Sequence, residues 1–145
     1  MTDAVLNIEW GERGLNSAID KGNRIVIIGQ LRFSSAVVTA VALGFVIEPT
    51  SDKSRKSESF SLSPFSFFDK SPQRVVIRSP NGAHLSINAK KARCVVYGSL
   101  LNAGSIGEWI NKENEIKLHF NFSRTKVKLQ FNLFPDLEMP SFRCC

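Results

Sequence analysis

Through most of this chain apolar residues come in short runs, each broken by glycine, serine or asparagine. The run Ile25-Val26-Ile27-Ile28 predicts a strand covered on both faces. Gly29 breaks it, and a polar loop follows. Ala36, Val37, Ala40, Val41 and Leu43 then recur at helical spacing, with Gly44 as the stop. Ser34 or Ser35 suits the N-cap of that helix, where a hydroxyl accepts an orphan backbone N–H. Residues 24–44 therefore read as strand, loop and helix, and the rest of the chain is organised around them.

The same reading predicts a strand at 5–9, a tight turn at 10–14 and one helical turn at 15–19. A strand at 45–48 is expected to end at Pro49. The Ser-rich, charged stretch 50–61 reads as a surface loop or a disordered segment. Ser63-Pro64 opens a short helix, whose Phe65, Phe67 and Phe68 are expected in the core. Strands at 74–78 and 94–97 and helices at 84–89 and 100–111 complete the alternation. From residue 115 the period changes to two. Ile116, Leu118, Phe120 and Phe122 alternate with polar residues, as do Val127, Leu129, Phe131 and Leu133. With 123–126 as a turn, that predicts an antiparallel hairpin.

The fold class expected is α/β: a three-layer α/β/α arrangement with a largely parallel or mixed sheet, plus the C-terminal hairpin. Residues 1–111 form the α/β domain, and 112–145 a hairpin and tail packed on it. Three crossings place small polar residues directly after a strand, at 29–35, 79–83 and 98–102. In a parallel sheet with adjacent strands, these loops converge on the carboxyl edge. Helix-start N–H groups there suit a phosphate or carboxylate.

Composition narrows the function classes. With 145 residues and 43% apolar content, the chain has enough material for one real core. It contains no 18-residue apolar run, so no membrane partner is expected. Asp3, Glu9 and Glu12 interrupt the pattern a signal peptide needs, which points to the cytoplasm. Cys94, Cys144 and Cys145 do not make a disulfide framework; Cys94 reads as a core thiol, the other two as a frayed tail. The net charge of +6 suits an anionic ligand. The basic residues are scattered, without the aromatic interleaving of a nucleic-acid groove, so nucleic acid is not the expected partner. An exposed hairpin edge offers a route to a homo-oligomer.

The candidate chemistry lies in the convergent loops. The Arg32 guanidinium can clamp phosphate or sulfonate oxygens. Ser34 and Ser35 can donate to the anion or cap the helix; Ser99 and Asn102 face the same choice, and Asn81 can orient a ligand or simply serve the Asn-Gly turn. His84 is the general-acid candidate, though no carboxylate stands near it in sequence. Glu12, after the first strand, is the candidate metal ligand. His119 falls on the polar side of the hairpin and is expected to be inert. Ser–His–Asp, Cys–His, P-loop and zinc-ligand patterns are absent.

Five segments in order also carry a resemblance. They are Glu9-Trp10-Gly11-Glu12-Arg13-Gly14, the unit at 25–40 ending LRFSSAVVTA, Leu62-Ser63-Pro64, Ser79-Pro80-Asn81-Gly82-Ala83, and Gly98-Ser99-Leu100-Leu101-Asn102-Ala103. Together they resemble the 2-phosphosulfolactate phosphatase family over residues 4–111. The resemblance implies a three-layer α/β/α fold and a magnesium-dependent hydrolase of the coenzyme M pathway type. Such an enzyme releases phosphate from 2-phospho-3-sulfolactate and leaves 3-sulfolactate. The chain departs from the family at Gly29, where an acidic residue is usual, and in a shorter 50–61 loop. It departs again at 112–145, where members continue with further α/β elements. A shortened copy that keeps an anion site or serves as an interaction module, without turnover, is the alternative the departures imply.

Overall fold

The computed structural model describes residues 5–29, 32–54, 60–112 and 117–122. A four-stranded sheet is built from β1 (Val5–Trp10), β2 (Arg24–Ile28), β5 (Val95–Tyr97) and β6 (Lys117–Phe122). Its order is β1-β6-β2-β5, and every pair in it is parallel. A second sheet pairs β3 (Val46–Thr50) with β4 (Arg74–Arg78), also in parallel. The helices are α1 (Gly11–Asp20), α2 (Phe33–Ala42), α3 (Gly82–Asn88) and α4 (Ala103–Lys112). The α/β class expected from the alternation is the one observed.

β2 shows why the sheet is layered. Its residues 25–27 are fully buried, because helices cover both of its faces. Ile25 and Ile27 cluster with Leu15 and Ala18 of α1, with Leu85 of α3 and with Ala89 just after it. Val26, on the opposite face, meets Ile106 of α4, with Trp109 and Ile110 beside it. A separate core joins α2 to the small sheet: Phe33, Ala36, Val37 and Ala40 close over Phe45, Phe60, Phe67, Val75 and Ile77.

Several elements differ from expectation. The 10–14 turn is the start of α1; the bend is compressed into Gly11, whose φ is +65°. Ser34 and Ser35 do not cap α2; Arg32 occupies the N-cap and makes no side-chain cap bond. The apolar face of α2 is Phe33, Ala36, Val37 and Ala40, whereas Val41 and Leu43 are exposed. Pro49 lies inside β3, which is tolerated because β3 pairs on one side only among the described residues. The 3₁₀ turn Pro64–Phe67 begins after Ser63 as expected, but only Phe67 is buried; Phe65 and Phe68 face outward. Cys94 is a buried thiol.

The largest difference concerns Lys117–Phe122. This segment is a strand, but it runs parallel between β1 and β2 and uses both of its edges. No edge of β6 is left for a hairpin partner or for a second chain. The other arm of the expected hairpin, 127–133, lies outside the described residues, as do Cys144, Cys145 and residues 55–59 of the polar loop. Among the described residues no helix is long and apolar enough to cross a membrane.

Candidate functional site

Parallel pairing sends the carboxyl ends of β1, β6, β2 and β5 to one edge. Trp10 stands level with Phe122, Phe122 with Ile28, and Ile27 with Tyr97. The chain leaving β1 at Gly11, β2 at Gly29 and β5 at Gly98 therefore emerges there. The Gly98 N–H continues the pairing by donating to the Ile27 carbonyl at 2.9 Å. The 79–82 loop comes from the other sheet, yet reaches the same place through one ring. Phe33 is buried, meets Tyr97 edge-on at 6.1 Å between centroids, and lies directly against Gly82.

Gly82 has to be glycine for steric reasons. A Cβ there would sit 2.5 Å from Phe33 Cγ and closer still to Cδ1. Phe33 is buried within the α2 core, so its ring can yield only by displacing packed neighbours. Gly82→Ala is expected to cost about 1–3 kcal/mol by overpacking. Gly107→Ala, at an open helical position, is expected to be neutral or slightly stabilising. Chemical denaturation of the two variants checks this; equal midpoints would refute the contact.

Most of the small polar candidates are engaged by backbone. The Ser34 hydroxyl is buried; it accepts the Gly29 N–H at 2.6 Å and donates to the Ile27 carbonyl at 3.2 Å. The bond thus ties the strand end to the first turn of α2. Ser79 accepts the Gly82 N–H at 3.1 Å. Ser99 and Asn102 form a reciprocal cap: the Ser99 hydroxyl accepts the Leu101 N–H, and the Asn102 amide oxygen accepts the Ser99 N–H. The Asn102 amide nitrogen donates to the Tyr97 carbonyl at 2.8 Å, and the residue is almost wholly buried. Ser35 is half-buried in the first turn of α2, and Asn81 is exposed at the N-cap of α3 without a side-chain cap bond. Burial pushes the Tyr97 phenol above its usual pKa, partly opposed by its hydrogen bond with Ser86.

Two features are not accounted for by packing. Arg32 has φ +74° and is the sole non-glycine residue with positive φ among those described. Such backbone costs on the order of 1–3 kcal/mol and tends to mark functional positions. The Arg32 side chain is exposed beside Phe33 and makes no ion pair among the described residues. The second feature joins α1 to α3. His84 Nε2 lies 3.6 Å from Glu12 Oε2, and the Asn88 amide nitrogen lies 3.1 Å from Glu12 Oε1 and 3.2 Å from His84 Nε2. His84 therefore has a carboxylate neighbour, contrary to the sequence reading. That partner is distant in the chain and is brought in by the packing of α1 on α3. Asn88 was missed, although its spacing of four from His84 on a predicted helix was a usable signal.

These donors do not fit a resident magnesium ion. Magnesium takes near-octahedral oxygen ligands. Here the described residues bring a single carboxylate, Glu12, whose Oε1 already accepts from the Asn88 amide and whose Oε2 has the His84 ring 3.6 Å away, and no cluster of three His, Cys, Asp or Glu is present among the described residues. No family model matches the chain, and no curated protein matches it.

Proposed function

We propose that the carboxyl edge of the main sheet binds a small phosphorylated or sulfonated anion and that the protein hydrolyses a phosphate monoester there. The substrate is of the 2-phospho-3-sulfolactate type implied by the resemblance. One observation carries the reading. The seating of Gly82 on Phe33 sets the His84 helix against the turn that holds Arg32. Arg32 and His84, two groups suited to phosphate-ester chemistry, thereby belong to the starts of two helices in contact. In this reading the Arg32 fork binds phosphate or sulfonate oxygens while a water attacks phosphorus and loses a proton to solvent; His84, having taken up a proton to become the imidazolium beside the Glu12 carboxylate, gives one to the leaving oxygen and returns to the neutral ring.

The test is phosphate release from 2-phospho-3-sulfolactate, with and without magnesium, on chain whose fold is verified by circular dichroism. Release is expected, with His84→Gln lowering kcat by roughly 10²–10⁴-fold. Arg32→Ala is expected to act mainly on KM. No release from the folded chain rejects hydrolysis. The presence of only one carboxylate beside His84 among the described residues then favours a second reading, an anion-binding module without turnover. Calorimetry with inorganic phosphate decides that one, and absence of heat rejects it.

A further inference from the structure

The three-way contact among Glu12, His84 and Asn88 fixes more than proximity. An ionised carboxylate can only accept hydrogen bonds, so the Asn88 atom 3.1 Å from Glu12 Oε1 has to be the amide nitrogen, whichever way the amide is drawn. That same nitrogen is 3.2 Å from His84 Nε2. A nitrogen with two hydrogens can serve both neighbours, and a donor facing Nε2 requires a lone pair there. The 3.6 Å gap between Nε2 and Glu12 Oε2 agrees, being too long for a donated hydrogen bond.

We propose that Asn88 is a positioning residue that holds neutral His84 as the Nδ1–H tautomer, with Nε2 turned toward Glu12. Nδ1 is then the nitrogen left to face a ligand, since it makes no hydrogen bond among the described residues. The geometry is built from two helices. His84 and Asn88 stand one turn apart on α3, and Glu12 lies in the first turn of α1. This inference deepens the proposed hydrolysis and uses the same site, but its readout needs neither substrate nor turnover.

The test is long-range ¹H–¹⁵N correlation of the imidazole nitrogens in the full chain. It is recorded at alkaline pH, where imidazole rings are neutral, and His84→Gln assigns the signals. The Nδ1–H pattern is expected for the unaltered protein. Asn88→Ala removes the donor, and Asn88→Asp replaces it with an acceptor. Both are expected to shift His84 to the Nε2–H pattern while the circular dichroism spectrum stays unchanged. An Nε2–H pattern in the unaltered protein overturns the proposal, as does an Nδ1–H pattern that survives both substitutions. A tautomer shift without phosphate release keeps the positioning role and removes the hydrolysis. Phosphate release without a tautomer shift does the reverse.

Discussion

A chain ended after Lys112 will lose its cooperative unfolding transition. β6 lies beyond that point, and it is the strand that joins β1 to the rest of the sheet. Residues 5–10 pair with 117–122, and residues 24–28 pair with 118–122. Removing β6 leaves β1 without a strand partner and exposes one side of β2, whose core residues are fully buried. The backbone N–H and C=O groups on both sides would face water or nothing, and a buried unpaired group costs about 1–3 kcal/mol. Asn121→Pro makes the same point in the full chain. Asn121 stands between Glu9 and Ile27, and proline cannot donate in a central strand. Circular dichroism melts of both variants are the measurement. A truncated chain that melts cooperatively at the original temperature would show that residues 1–112 fold alone.

Phe67→Ala is the second large effect. The Phe67 side chain is wholly buried, stacked on Phe60 at 5.1 Å between centroids and edge-on to Phe45 at 5.3 Å. Removing the ring deletes contacts to both and leaves a cavity in the core that seats α2. Phe-to-Ala changes at such sites cost about 3–5 kcal/mol. For a domain of this size that lowers the melting midpoint by on the order of 10 °C. Phe65→Ala, two residues away on an 80% exposed side chain, is expected to change stability by less than about 0.5 kcal/mol. Guanidinium unfolding of the pair at unchanged m-value checks the contrast. Similar midpoints for both variants would refute the assignment of Phe67 to the core.

How much of this was legible can be read from those same residues. Apolar runs located β2, β4 and β5 to within a residue or so; the run reflects burial on both faces in β2, whereas Val76 of β4 and all of β5 are half-buried. Three phenylalanines in four positions announced a core contact near 65–68, but not which ring enters; the tight 3₁₀ turn settles that by sending Phe67 inward and leaving Phe65 and Phe68 together outside. Ser34 had the right type for a cap. Its hydroxyl instead links Gly29 to Ile27, a choice set by the sharp bend at Arg32. Alternation at 117–122 correctly marked a strand. Period two defines faces but not neighbours, so the parallel slot between β1 and β2 was hidden. At the site, Arg32, His84 and Glu12 could each be singled out by chemistry. The meeting of Glu12 with His84 is a product of helix packing, which no local pattern encodes.

The slot taken by β6 also orders events in time. The first strand of the sheet is completed by the last described one, with roughly a hundred residues between them, so their closure is a long-range event of the slow kind. Until residue 122 is in place, β1 is an open template, carrying Leu6, Ile8 and Trp10 on one side. A nascent or refolding chain spends that interval exposed to strand exchange with its neighbours, so dilution and chaperone shielding govern its yield more than its final stability does.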